Sequence, residues 1–323
     1  TSVCDGVCQR WRTLVNSPSV RSQLVGARWE GYTTGRLTPR AIDVPSEVYS
    51  LAVGKDDRVC AGCNDGNVYV FNGLDGSLLH TLQSDTGSIY AVAVGDDGTM
   101  YSEACRNVKV WSGTDGRLIR TLTGHTGNIR ALVLDNRGNL YSGASDGRIR
   151  MWSRDSGALI DTLVGHTDWV MALAVGKDNV LFSGSHDKTI RVWSRGVIIR
   201  ILTGHTNAVA ALGVQPDGTL VSGACDGTIR AWTATDPGKS TTILNHPFTS
   251  VSTISISDKG AIYSGLSNGE LWQHVNVNAE ARLISLFFSF SQNENLKSCC
   301  LAVGPSGVLY AGCYTGSYKL LAF

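Results

Sequence analysis

The sequence has little net charge, few charged residues and no long hydrophobic run. Lysine and arginine total 28 against 27 aspartate and glutamate, and charged residues are 17% of the 323 residues. A formal net charge of +1 gives no global field that would attract nucleic acid or an anionic membrane. The longest apolar stretch, around residues 283–290, is far shorter than the roughly 20 residues of a membrane-spanning helix. With 42% hydrophobic residues, the composition indicates a folded protein.

Patterns for catalysis and metal binding are equally scarce. No phosphate-binding loop, metal-ligand cluster or carboxylate pair with supporting context occurs. The hydrolase-like string Gly-x-Ser-x-Gly at 143–147 lies in a repeated strand-to-strand turn, whereas a nucleophile elbow requires a strand-to-helix turn. Cys60 and Cys63 have metal-like spacing but no second pair and no nearby histidine. We therefore predict no enzyme, no metal site and no cofactor.

The cysteine count is odd, at nine, and several cysteines stand at equivalent positions of a repeat, as small buried residues would. This pattern favours reduced thiols over a disulfide framework. It predicts a cytoplasmic or nuclear protein.

What the sequence does contain is a repeat with a period near 40 residues. Tryptophans keep that spacing at Trp111, Trp152, Trp193 and Trp232. Gly-His pairs keep it at residues 124–125, 165–166 and 204–205. A period of this length is typical of an array of one supersecondary unit.

Each unit contains four short runs that alternate with period 2 and are separated by Gly, Asp and Asn. Such runs predict four antiparallel strands and no helical period. Third strands are predicted to begin near residues 67, 107, 147, 188, 228, 269 and 316. Seven four-stranded sheets arranged radially make an all-β, seven-bladed β-propeller.

A constant spacing of residues between neighbouring units predicts how the ring closes. The glycine that opens strand four precedes the first apolar residue of the next strand one by 13 positions, as in Gly116 to Ile129, and Gly35 to Val48 repeats this spacing. The sequence ends within a third strand. We therefore predict that residues 35–42 supply the fourth strand of the last blade, which removes an open sheet edge.

Over residues 35–323 these Gly-His and Trp landmarks resemble those of the WD-repeat family, although the Asp that usually follows Trp is absent. The resemblance implies a buried His–Ser–Asp–Trp tetrad within a blade, so that these histidines are structural. The complete tetrads it implies are His125, Ser142, Asp146, Trp152; His166, Ser183, Asp187, Trp193; and His205, Ser222, Asp226, Trp232.

Four units depart from the repeat. Unit two has Asp85 in place of the histidine and Arg106 in place of the turn aspartate, which predicts an Asp85–Arg106 ion pair. In units one, six and seven, Phe71, His274 and Leu321 fall where Trp is expected.

Residues 1–25 do not fit the repeat. Apolar residues at 7, 11, 14 and 15 lie on one face of a predicted helix, and Ser17-Pro18 is typical of the start of another. The string VCQRWRTLVNSPSVRSQL resembles the C-terminal half of an F-box, without that family's leading Leu-Pro helix. The resemblance implies contact with a Skp-type adaptor, or packing, through Val7, Cys8, Trp11, Leu14 and Val15. The alternative is an amphipathic helix that caps the propeller. Residues 26–34 are a predicted linker.

In WD-repeat relatives, partners dock on one face of the ring, near the start of strand one and before the turn aspartate. Carried to this sequence, the candidate partner-binding residues are Tyr49, Tyr90, Arg130, Trp169, Met171, His186 and Tyr314. Trp, Tyr, Met and Arg are enriched at interfaces. Tyr49 and Tyr90 could instead merely cover strand ends.

These resemblances predict a non-enzymatic substrate receptor of a cullin ubiquitin ligase, with protein partners only. The alternative is a general propeller scaffold for signalling or cytoskeletal proteins without a ubiquitin role. A strongly phosphate-dependent partner is not favoured, because only Arg130 is basic among the seven strand-one positions.

Overall fold

The computed structural model describes residues 40–84, 87–233, 240–245, 249–277, 280–289, 300–314 and 318–322. By its internal contacts the chain divides into two compact units, residues 1–38 and 39–323. The predicted F-box-like helix at residues 7–15 and the linker lie outside the described residues. Within those residues no helix is long and apolar enough to cross a membrane.

The described part of residues 39–323 forms 28 strands in seven four-stranded antiparallel sheets, the blades of a β-propeller. A first strand, β1, spans Arg40–Asp43. Blade 1 contains β2 to β5, at Val48–Val53, Arg58–Cys63, Asn67–Asn72 and Leu78–Gln83. Blade 2 contains β6 to β9, at Val92–Val94, Met100–Ala104, Asn107–Trp111 and Leu118–Leu122. Blade 3 contains β10 to β13, at Ile129–Leu134, Leu140–Ala144, Arg148–Trp152 and Leu159–Val164.

Blade 4 contains β14 to β17, at Val170–Val175, Leu181–Ser185, Ile190–Ser194 and Val197–Leu202, with a short 3-10 turn at Lys177–Asn179. Blade 5 contains β18 to β21, at Val209–Val214, Leu220–Ala224, Thr228–Trp232 and Ser240–Asn245. Blade 6 contains β22 to β25, at Val251–Ile256, Ile262–Leu266, Glu270–Val277 and Glu280–Ser289. Blade 7 contains β26 to β28, at Cys300–Val303, Leu309–Tyr314 and Tyr318–Ala322.

How deeply a strand is buried depends on its radial position in the blade, as blade 3 illustrates. Its second strand, Leu140–Ala144, is buried at every residue, because a neighbouring blade packs on each face. Its fourth strand, Leu159–Val164, is exposed at four of six residues, since it is the outer edge of the sheet. The short β-branched and apolar runs in the sequence therefore correspond to strands sandwiched between sheets.

The blades form a closed ring. The first strands contact one another in sequence, β2, β6, β10, β14, β18, β22 and β26, and β26 contacts β2. Strand β1 pairs antiparallel with β28, with Ile42 opposite Leu320, so it is the fourth strand of blade 7. The Arg40 guanidinium also bonds the carbonyls of Gly73, at 2.5 Å, and Leu74 in blade 1.

A glycine in strand two lets the next blade approach. A Cβ at Gly143 would lie 2.6 Å from Val170 Cγ1, the first residue of the next blade, closer than real Cβ contacts occur. The same crowding exists at the equivalent residues Gly62, Gly184, Gly223 and Gly312. Blade 2 has Glu103 at this position, and its first strand is only three residues long.

One sequence alignment is corrected by the strand register. In blades 2 to 5 the Trp pairs with the first residue of strand two, as Trp152 does with Leu140. In blade 7, Leu321 pairs with Ala311, two residues short of that position. Leu321 therefore does not replace the Trp, whereas Phe71 and His274 do, since they pair with Val59 and Ile262, which like Leu140 stand three residues before the glycine of strand two.

Candidate functional site

Three blades contain a complete buried hydrogen-bond chain. In blade 3, Trp152 Nε1 donates to Ser142 Oγ at 2.8 Å, and Ser142 Oγ lies 2.8 Å from His125 Nε2. His125 Nδ1 lies 3.0 Å from Asp146 Oδ2. Blades 4 and 5 repeat these distances within 0.3 Å, through His166, Ser183, Asp187 and Trp193, and through His205, Ser222, Asp226 and Trp232.

A neutral histidine satisfies this chain completely. The indole N–H donates to the serine oxygen, the serine hydroxyl donates to Nε2, and Nδ1–H donates to the carboxylate. Burial lowers the pKa of His125, which favours this neutral form, despite the opposing effect of Asp146. Burial alone would raise the pKa of Asp146, but hydrogen bonds from His125 and the Thr126 amide lower it to about 2. Both ring nitrogens are engaged, so the chain stabilises the blade and offers no free base.

The sequence did not lead us to an arginine that lies beside this hydrogen-bond chain. Arg150, 8% exposed, places Nη1 3.2 Å from Asp146 Oδ2. An arginine recurs two residues before the Trp, at Arg150, Arg191 and Arg230. This recurrence in the sequence could have identified the arginine. It indicates that the arginine has a structural role within the blade.

Three of the predicted partner-binding residues lie at β-bulges in strand one. Strand pairing skips a residue between Val48 and Ser50, between Ile129 and Ala131, and between Val170 and Ala172. The skipped residues are Tyr49, Arg130 and Met171. A β-bulge leaves its extra residue unpaired and redirects its side chain. We call the side of the propeller that carries these bulges and the turns after strand two the ring face.

Five of the predicted residues contact one another in a row across the ring face. The rings of Tyr49 and Tyr90 stack with centroids 5.2 Å apart and planes 8° from parallel. The Arg130 guanidinium carbon lies 4.7 Å from the Tyr90 centroid and 5.4 Å from that of Trp169. Trp169 in turn lies 6.0 Å from the His186 ring. We call Tyr49, Tyr90, Arg130, Trp169 and His186 the aromatic stack; it crosses blades 1 to 4 in order.

The aromatic stack is held at both ends and open to solvent between them. The Tyr49 hydroxyl donates to Glu47 Oε2 at 3.0 Å, and His186 Nδ1 lies 3.1 Å from Asp168 Oδ2. Tyr90 is 45% exposed and Trp169 is 43% exposed. Large aromatic surface is thus fixed in position before any partner binds, which reduces the entropy lost on association.

Arg130 is the unusual member of the aromatic stack. Its guanidinium lies between two aromatic rings, which attract a cation through their quadrupoles. Its Nε is buried without a hydrogen-bond partner, and Arg130 forms no ion pair with any residue in the described ranges. The side chain is held by stacking on the two rings, and its buried Nε is not satisfied by any described residue.

Glu103 supports the aromatic stack from below, and the sequence reasoning did not identify it. Its Oε1 accepts the amide N–H of Tyr90 at 2.9 Å, and the nearby Cys105 amide also lowers the pKa of its carboxyl group. The side chain of Glu103 therefore bonds the backbone just before strand one of blade 2.

Burial raises the pKa of Glu103 to about 7, against the opposing effects of the two amides and of Arg130. The residue is 2% exposed. Its signal in the sequence is a glutamate where the six other units have glycine, at residues 62, 143, 184, 223, 265 and 312.

Several predicted residues are not in the aromatic stack. Met171 is half-buried on the same face. The side chain of Tyr314, the residues Val7, Cys8, Trp11, Leu14 and Val15, and Asp85 of the predicted ion pair lie outside the described residues. Cys60, Cys63, Cys105 and Cys225 are free thiols. No group of three acidic, His or Cys residues within the described ranges is placed to hold a metal ion.

Three segments of the chain match a known family model. The family model for the WD domain, G-beta repeat, matches residues 116–153, 157–194 and 196–233. These segments begin at strand four of one blade and end after strand three of the next. No curated protein matches the chain.

Proposed function

We propose that this chain, which carries WD repeats in a seven-bladed β-propeller, is a protein-interaction module, as that architecture typically is. We propose that it binds a segment of another protein at the ring face, with Trp169, Met171 and Arg130 at the centre. The observation that carries this proposal is the aromatic stack, which holds exposed Tyr and Trp rings around an arginine without an ion pair. Trp, Tyr and Arg dominate interface hot spots.

Alanine substitution tests the proposal. Trp169→Ala and Arg130→Ala are each expected to weaken binding of an isolated partner by about 2 kcal/mol, roughly thirtyfold. Calorimetry with the purified partner measures the change. Matched controls are Ile160→Ala and Arg200→Ala, on exposed outer-strand positions of blades 3 and 4. Unchanged affinity in both stack variants would show that the partner binds elsewhere.

We further propose that the propeller is the substrate receptor of a cullin ubiquitin ligase. The support is the F-box-like string at residues 7–24, which by resemblance would engage a Skp-type adaptor. The proposed division of labour is that Val7, Cys8, Trp11, Leu14 and Val15 serve the adaptor while the ring face selects the substrate.

A general scaffold without a ligase link is the alternative, and it uses the same ring face. Co-purification of the full-length protein with the Skp adaptor discriminates between the two. Adaptor binding that is lost on Trp11→Ala and Leu14→Ala, with the aromatic stack intact, is expected for the receptor. Failure to bind the adaptor leaves the scaffold.

A further inference from the structure

Building on the proposed function, we infer that the partner segment presents one carboxylate side chain to Arg130, with apolar side chains on either side of it. The chemistry is that of an acidic residue within an apolar stretch of polypeptide.

The donors of Arg130 define what can bind. Tyr90 and Trp169 lie against the guanidinium, so its hydrogen-bonding edge is what remains for a ligand. A planar guanidinium matches a carboxylate with two parallel hydrogen bonds. A purely apolar partner would instead bury these donors unpaired, which opposes binding. A cationic ligand is disfavoured, because Arg130 already lies between Tyr90 and Trp169 and would repel it.

The charges around Arg130 favour a ligand group with one negative charge over a group with two. Arg130 is the only arginine or lysine of the aromatic stack, and two carboxylates lie beside the stack, on Glu47 and Asp168. A phosphate group carries about −1.5 to −2 charges and is usually bound by several arginines. The electrostatic repulsion from these carboxylates grows with the charge of the ligand. A carboxylate therefore fits this site better than a phosphate.

The two flanks favour apolar neighbours. Tyr49 and Tyr90 lie on one side of Arg130, and Trp169 and His186 lie on the other. Tyr90 and Trp169 each retain more than two fifths of their exposure. Covering these rings with apolar side chains removes apolar surface from water on both sides of the central ion pair. It also excludes water from that pair, which strengthens it.

A random-peptide phage library, selected on the full-length protein, tests the inference. We expect enriched peptides with Asp or Glu next to apolar residues. With one such synthetic peptide, Arg130→Gln in the protein and Glu→Gln in the peptide are each expected to weaken binding about tenfold to a hundredfold. The two changes together are expected to weaken binding no more than either alone, because both remove the same ion pair.

Three controls test whether the loss of binding comes from the charge and shape of Arg130 and from the carboxylate of the peptide. Arg200→Gln removes the same charge from an exposed outer strand and is expected to leave affinity unchanged. Arg130→Lys keeps the charge without the planar fork and is expected to bind better than Arg130→Gln. Phosphoserine in place of the peptide's acidic residue is expected to bind more weakly than glutamate. Tighter binding of the phosphopeptide would overturn the inference.

Two further outcomes separate this inference from the proposed function. Enriched peptides without an acidic residue that still require Trp169, or additive effects of the two Gln substitutions, would overturn the carboxylate but leave the ring face as the binding site. Peptides whose binding depends on neither Trp169 nor Arg130 would overturn both.

Discussion

At the residue scale, the positions that break the repeat carry the information about function. The tetrad histidines recur because each blade needs the same buried hydrogen bonds. Glu103 recurs nowhere: where other blades have a glycine, it inserts a carboxylate that bonds the amide of Tyr90. A buried carboxylate is costly, so its presence beneath an exposed stack residue indicates a positioning role.

The titration of Glu103 gives the first prediction. Its pKa in the folded protein is about 7, above the 4.5 of a free carboxyl, so the folded state binds this proton more tightly than the unfolded chain. The contribution to stability is therefore complete below about pH 4.5 and is lost as pH rises through 7, by roughly 3 kcal/mol. Glu103→Gln is expected to remove this loss. Urea unfolding from about pH 5 to about pH 8 measures it.

The pH profile of stability must be compared between the wild type and Glu103→Gln. The His and Asp residues of the tetrads change the stability with pH in the opposite direction, in both proteins alike. The lowered pKa values of the histidines and aspartates make the protein less stable as pH falls. Asp155→Asn, at an exposed turn, is the matched control for charge removal. Parallel pH profiles for the wild type and Glu103→Gln would show that Glu103 does not titrate with folding.

At the element scale, strand two is specified by packing as much as by β propensity. Its glycine is needed because the first strand of the next blade approaches its backbone, and the bulge in strand one turns Arg130 and Met171 outward. Propensity alone does not explain a glycine in the most buried strand, where it weakens the ladder. The close approach of the next blade does explain it.

Gly143→Ala tests this explanation. The new Cβ would lie 2.6 Å from Val170 Cγ1, so one blade must shift, and we expect a loss of about 1–3 kcal/mol in the free energy of unfolding. Gly87→Ala is the control, since a Cβ there meets nothing within 4 Å. Denaturant unfolding of both variants measures the difference. Equal effects would mean that packing between blades does not require the glycine.

At the scale of the whole propeller, strand β1 connects the two ends of the ring. Ile42 is 6% exposed in the core shared by blades 7 and 1, and Arg40 bonds carbonyls of blade 1. Closure therefore depends on four residues far in sequence from their partner strand, Tyr318–Ala322.

Ile42→Ala is expected to destabilise the whole propeller by about 2–5 kcal/mol, because it leaves a cavity where the ring closes. Thermal and denaturant unfolding measure the loss. Ile160→Ala, at a 52% exposed position of an outer strand, is the control and is expected to cost much less. A similar cost at both positions would show that Ile42 does not contribute to the core at the closure.

Much of this architecture could be predicted because a blade is a local unit. Period-2 runs, turn residues and a 40-residue repeat lie within one stretch of sequence, so the number of strands and blades was predictable. The Leu321 alignment was wrong because the register of a degenerate blade has no Trp landmark. Glu103 was missed because its role rests on a hydrogen bond to the Tyr90 amide within blade 2 that the repeat pattern does not contain.

The sequence by itself determined the repeat, the tetrad residues and the ring-face candidates Tyr49, Tyr90, Arg130, Trp169 and His186, since each follows from its position within one unit. Only the tertiary structure decided that these five side chains contact one another, with Arg130 between Tyr90 and Trp169 and Glu103 beneath Tyr90. The physical reason is that the aromatic stack runs across blades. Its contacts between blades join residues 39 to 41 positions apart, and their geometry is set by how the sheets pack around the ring.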